Sequence, residues 1–185
     1  MDRIIVFLAD GFEEIEALTQ VDFLRRVDDI EVDMVTINGD LITTGAHGIK
    51  ILADKMIDDI DISDYTGLVL PGGWPGADNL RNNKKVVEIV RKFYEEDKLV
   101  AAICAAPIVL AKAEIIDGKN ITSYPGFEDD LKSGKYSMDS VVVDGNIITA
   151  RGPAMAGLLA YKIVEYLKGK EISDVLKADT LQNLL

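Results

Sequence analysis

Two rhythms of apolar and polar positions alternate along the chain. Residues 3–9 (RIIVFLA), 32–37 (VDMVTI), 67–73 (GLVLPGG) and 99–103 (LVAAI) are short, nearly continuous apolar runs, the pattern of strands buried on both faces. Residues 13–27 (EEIEALTQVDFLRRV) carry apolar side chains at helical spacing, which predicts an inward face of Ile15, Leu18, Val21 or Phe23, and Leu24. Residues 82–98 predict a second amphipathic helix with Val86, Ile89, Val90 and Phe93 inward. Pro107 opens another, because its missing N–H loses nothing in a first helical turn. Residues 38–55 hold two short apolar stretches split by Gly45 and Gly48, read as a hairpin-like excursion. Residues 140–150 carry an Asp-Gly hairpin signal, and residues 153–169 predict a helix opened by proline and closed by glycine.

This alternation implies an α/β fold with a mainly parallel sheet between helices. In such sheets the site lies beyond the carboxyl ends of the strands, at the switch in strand order. The strand ends deliver residues 10–16, 71–76, 104–106 and 151–153 to one edge. A cysteine, a carboxylate and two glycines therefore converge there.

Cys104 is the single cysteine of the chain, and it falls where a buried strand turns into a helix between small residues, Ala102, Ala105 and Ala106. That setting resembles a nucleophile elbow. A lone cysteine is equally a small buried hydrophobe, and the segment by itself leaves both readings open. Gly72 and Gly73 permit backbone N–H groups to point into a cavity, where with the Ala105 N–H they form a candidate oxyanion pocket. Pro-Gly-Gly is also common turn punctuation.

The 185 residues suit one domain spanning 1–185, with no linker, repeat or low-complexity tract. A net charge of −12 without a basic stripe argues against nucleic acid or an anionic membrane as the main partner. No apolar run reaches membrane-spanning length, and the N-terminus does not read as a signal peptide. With one cysteine and no internal disulfide to form, a reducing cytoplasm is expected. The single histidine, His47, ordinarily reads as a solvated loop residue, and with scattered carboxylates it offers no metal-ligand spacing.

The segments LADGFEEIEA, VDFLRR, VLPGGWPGADNL, AAICAAPIVLA, ITSYPGFEDDL and ITARGPAMAGLLAYKIVEYLKGKE occur in one order over nearly the whole chain. Together they resemble the ThiJ/PfpI family, in the branch of the Parkinson-disease-associated protein deglycase and its bacterial relatives. The resemblance implies a flavodoxin-like three-layer sandwich, a homodimer and no cofactor. It makes Cys104 the reactive thiol, Glu16 its carboxylate partner, and the backbone of Gly72, Gly73 and Ala105 the anion pocket. It also brings in His47, Tyr124 and Arg26 as auxiliary residues, His47 by reaching the thiol of a second subunit. Activities assigned in this branch are glyoxalase, deglycase, redox-sensing and chaperone functions. Two departures bear on the choice. The glyoxalase members carry a Thr-His-Pro turn where this chain has Ser123, Tyr124 and Pro125, so a proton carrier is missing. The protease-like branch has histidine directly after the cysteine, and Ala105 here argues against a hydrolase or peptidase.

The expected chemistry is slow, cysteine-dependent turnover of α-oxoaldehydes or their early protein adducts. An unperturbed thiol is mostly protonated at neutral pH, so the helix starting near Ala106 is expected to favour its anion. A buried Glu16 that keeps its proton could then donate a hydrogen bond to sulfur.

Overall fold

The computed structural model describes residues 1–184. Its elements run β1 (Asp2–Leu8), α1 (Glu14–Arg25), β2 (Ile30–Thr36), β3 (Ile42–Thr44), β4 (Lys50–Leu52), β5 (Lys55–Met56), β6 (Gly67–Leu70), α2 (Gly76–Asn82) and α3 (Lys84–Glu95). They continue through β7 (Leu99–Ile103), α4 (Pro107–Lys112), β8 (Asn120–Ile121), β9 (Lys135–Tyr136), β10 (Val141–Asp144), β11 (Ile147–Ala150), α5 (Ala156–Lys168) and α6 (Lys170–Asp179).

Seven strands form the central sheet in the order β10-β11-β7-β6-β1-β2-β5, parallel except for the antiparallel β10–β11 hairpin. The five principal parallel strands thus follow the flavodoxin-like order 2-1-3-4-5, whose switch lies between β1 and β6. The excursion predicted over 38–55 is present as the β3–β4 antiparallel pair.

Strand pleating sends alternate side chains into two cores. Ile5, Phe7 and Ala9 meet α2, α3 and α4 through Leu80, Val86, Phe93 and Val109. Ile4, Val6 and Leu8 meet α1, α5 and α6 through Ala17, Leu24, Leu159, Ile163 and Leu176. The three-layer sandwich follows directly from that division.

Helix α3 matches its predicted inward face, with Val86, Ile89, Val90 and Phe93 buried and the Asn83 side chain capping the Val86 N–H. Helix α1 does not. Ile15 is 53% exposed, and the buried positions are Glu14, Glu16, Ala17, Gln20, Val21 and Leu24. The reason is polar: Gln20 Nε2 donates to the Ala156 carbonyl at 2.7 Å, and Glu14 and Glu16 each have backbone donors waiting inside. These polar contacts place Glu14, Glu16 and Gln20 inward beside the apolar row Ala17, Val21 and Leu24, and leave Ile15 outside.

Phe93 is fully buried in the core beneath α3, its carbonyl accepting the Lys98 N–H at the start of β7, the opposite end of that strand from Cys104. Phe93→Ala is expected to cost about 3–5 kcal/mol in urea unfolding, with Cys104 alkylation under native conditions unchanged.

Candidate active site

The site is assembled from three strand ends beside the switch. After β1, the loop of residues 9–13 is tied to β6 by Glu13 N–H donating to Gly72 O at 2.9 Å, and to the hairpin by Gly11 N–H to Thr44 O and Ala46 N–H to Phe12 O, both at 2.8 Å. After β6 come Gly72 and Gly73. A Cβ on Gly73 would lie 2.3 Å from the Glu13 nitrogen, and its φ is +86°, so this close crossing admits only glycine.

After β7, Cys104 adopts φ 63°, a left-handed conformation unusual for a residue with a side chain. Its backbone is held on both sides: its N–H donates to Ala150 O, and its carbonyl accepts from Tyr124 N–H, each at 2.9 Å. The elbow read from the sequence is therefore present, and the thiol stands half-buried above the sheet. The N–H groups of Ala105 and Gly73 are directed at the sulfur.

Glu16, in the first turn of α1, is completely buried beside Cys104. Its Oε2 accepts from Gly72 N–H at 2.8 Å, and its carboxyl is in hydrogen-bonding contact with the thiol. Oε1 is buried without a partner of good geometry. A Cβ on Gly72 would stand 2.7 Å from both the Cys104 Cβ and Glu16 Oε2, so glycine at 72 is what lets acid and thiol approach.

Burial pushes the Glu16 carboxyl up to about 7, against the opposing bonds from Gly72 and Cys104. Burial, followed by the charge of Glu16 and its hydrogen bond, pushes the Cys104 thiol up to about 12. The expectation of a thiol acidified by the following helix is thus corrected: α4 spans six residues, and burial outweighs the Ala105 and Gly73 N–H groups. Two negative charges are avoided, and near neutral pH Glu16 is the group poised to gain or lose a proton.

The auxiliary residues separate. Tyr124 adjoins the site through its bond to Cys104, is 47% exposed, and lies against Gly152, where a Cβ would be 3.2 Å from the ring. His47 is on the β3–β4 turn, with an exposed ring bonded through Nδ1 to Glu14 Oε2 at 2.8 Å. Its own N–H and that of Ile49 donate to Glu14 Oε1, at 2.8 and 3.4 Å. The Glu14 hydrogen bond and the charges of Glu13 and Glu14 raise the His47 pKa. Glu13, Glu14 and His47 thus bring three ligand-type atoms within 4.8 Å, a grouping that sequence spacing did not foretell. Glu14 is occupied in tying down the hairpin. Arg26 is not brought to the site within this chain: it caps the far end of α1, about 15 Å along the helix from Glu16, and pairs with Asp22 at 3.0 Å.

Glu16 sets a pH signature. Its folded pKa lies above the ordinary 4.5, so its contribution to stability is fully present below pH 4.5 and is lost as pH rises towards 7. Relative to Glu16→Gln, the wild type is expected to lose about 1.4 kcal/mol per pH unit across that window and none above it, as followed by urea unfolding. In the same variant the Cys104 thiol stays raised by burial but, freed of the neighbouring charge, is expected to titrate lower than in the wild type when thiolate absorbance is followed.

No helix among the described residues is long and apolar enough to cross a membrane. Residues 2–166 match the DJ-1/PfpI family. The chain is 38% identical over 169 residues to Protein dj-1beta of Drosophila melanogaster, covering 90% of each, and 36% identical over 180 residues to the Parkinson disease protein 7 homolog of Danio rerio, covering 95% of each. Among solved structures it is similar to oxidized Toxoplasma gondii DJ-1, with a TM-score of 0.92, 31% identity and 98% of each chain covered. With the family matched over most of its length and the fold shared, the chain belongs to the DJ-1/PfpI family.

Proposed function

We propose that this protein is a cofactor-free, cysteine-dependent glyoxalase or deglycase of slow turnover, acting on α-oxoaldehydes such as methylglyoxal or on their early adducts with proteins. The observation that carries this reading is the buried Glu16, raised to about 7 and in contact with the Cys104 thiol. A group titrating near neutrality serves as both acid and base.

Cys104 sulfur adds to the aldehyde carbon, and the thiol proton goes to the carbonyl oxygen as a hemithioacetal forms. The Ala105 and Gly73 N–H groups stabilise the oxyanion that precedes it. Glu16 removes the proton from the former aldehyde carbon and returns it to the adjacent ketone carbon, while the hydroxyl proton passes from the first oxygen to the second. One carbon is oxidised and its neighbour reduced, so no external oxidant is needed. The resulting thioester is hydrolysed by water to a hydroxy acid and free thiol. Tyr124, where family glyoxalases carry histidine, leaves Glu16 to move protons unaided, which accounts for slow turnover.

A second reading is a redox-sensing or chaperone-like stress protein whose Cys104 is oxidised and not turned over. The oxidized state of the Toxoplasma gondii relative favours it, as does a Glu16 able to hydrogen-bond a sulfinate oxygen. A lone free thiol suits a reducing cytoplasm in either case. We also propose a homodimer built on the exposed apolar side chains of Ile15 on α1 and Ile49 and Leu52 at the hairpin.

Methylglyoxal consumption with lactate release is the test. Many turnovers per Cys104 are expected in the wild type and none in Cys104→Ser with its fold intact; consumption that stops at one equivalent overturns the catalytic reading in favour of the redox one. Tyr124→His is expected to raise turnover ~10²-fold. Glu16→Gln is expected to abolish lactate release while still allowing peroxide to form the sulfinate, as read by intact mass.

A further inference from the structure

Five of the six arginines, at positions 3, 25, 26, 81 and 91, form ion pairs with carboxylates. Arg151 forms none among the described residues, and its guanidinium makes no hydrogen bond there either, although the chain carries 32 acidic residues. Its Nη1 is buried and unpartnered. A desolvated guanidinium nitrogen without an acceptor is costly, because Arg keeps its charge at any accessible pH.

Arg151 lines a small cavity of about 190 Å³ with Tyr124, Pro125, Gly152, Pro153 and Met155. That cavity lies next to the backbone that carries the reactive thiol. Ala150, directly before Arg151, accepts the Cys104 N–H, and Tyr124 donates its N–H to the Cys104 carbonyl. The cavity wall is therefore built from the two segments bonded to the Cys104 backbone. Apart from Arg151 its named side chains are apolar or aromatic, and the cavity opens to solvent, so a small anion can enter it.

We propose that Arg151 is a substrate-binding residue that receives the carboxylate of a short carbonyl compound whose reactive carbon meets Cys104. The inference rests on the glyoxalase reading and narrows its preferred substrates to α-oxoaldehydes that also carry a carboxylate, with methylglyoxal the uncharged member that forgoes this contact. The planar guanidinium fork matches a carboxylate in two parallel hydrogen bonds, and a short acid is enough to span from it towards Cys104. Acidic residues elsewhere on the protein repel anions in general, so a preference for an anion must come from this contact.

The experiment compares alkylation of Cys104 by iodoacetate and by iodoacetamide, which are close in size and differ in the carboxylate. In both, sulfur bonds to the methylene carbon as iodide leaves, and the ratio of the two rates cancels the thiolate fraction. It needs no aldehyde turnover, so it stands or falls separately from the glyoxalase assay. The wild-type ratio is expected to exceed that of a small free thiol by about tenfold. Arg151→Met is expected to return the ratio to the free-thiol value while leaving the iodoacetamide rate unchanged. Arg151→Lys, which keeps the charge and loses the fork, is expected to fall between. In the wild type, propionate is expected to slow iodoacetate saturably and propionamide is not. A wild-type ratio equal to that of the free thiol, a ratio retained in Arg151→Met, or equal protection by propionamide overturns the proposal. Should Arg151→Met fail to fold, the lysine variant and the propionate comparison decide it.

Discussion

The structure around the switch in strand order depends on one contact, the buried Glu16 carboxyl beside the Cys104 thiol. A carboxylate taken fully out of water is costly unless it is neutralised or hydrogen-bonded, and this one has a single good donor, the Gly72 N–H. The cost appears as a carboxyl raised to about 7. Other features follow from it. Gly72 has no side chain because any Cβ would collide with both partners. Cys104 takes a left-handed backbone because only that turn lifts the sulfur to the carboxyl, and bonds to Ala150 and Tyr124 hold it there. Helix α1 is rotated so that Glu14, Glu16 and Gln20 face inward.

That rotation marks the limit of what the pattern of residues reveals. The sheet was legible because runs such as LVAAI are buried on both faces and admit no other reading. Helix α3 was legible because its four inward apolar positions agree with its amphipathic period. In α1 the period pointed Ile15 inward, and buried polar bonds overrode it. No local signal distinguishes a glutamate that will find a buried N–H from one that faces water. Helix α2 was hidden by the Gly and Pro residues at its start and its polar sequence, and α6 by following α5 after the single residue Gly169. The two-residue strands β8 and β9 are too short for any period to show.

The candidate site was legible to a different degree in each residue. Cys104, Gly72 and Gly73 could be placed because strand ends in this topology share one edge. Glu16 came through resemblance, since three carboxylates lie within residues 13–16 and spacing does not choose among them. The structure gives the three separate tasks: Glu16 meets the thiol, Glu14 clamps the hairpin turn through His47 and Ile49, and the Glu13 backbone bonds Gly72. A Cβ on Gly45 would lie 2.3 Å from Glu14 Oε1, so the hairpin too has a glycine placed to admit a carboxylate. The environment of His47 lay beyond sequence reasoning for the same reason. Its partner is 33 residues away, and the pairing depends on how the hairpin folds back over α1.

The electrostatics of the site are built on contrast. An acid is held near neutral pH by burial at Glu16, while at Arg151, one residue beyond the strand that bonds the Cys104 N–H, a permanent cation stands without a counter-ion. A closer approach would have let the two form an ion pair, which would hold Glu16 ionised near neutral pH. Keeping them apart leaves each group incomplete in a complementary way: the carboxyl can exchange a proton, and the guanidinium can accept an anion. Within this chain Glu16 is the titrating group next to the thiol, since position 124 is a tyrosine and the imidazole of His47 is engaged by Glu14. On the glyoxalase reading proposed above, a site with one titrating group near neutrality uses it for both proton removal and return, so the rate is bounded by how fast that one carboxyl cycles between its two states.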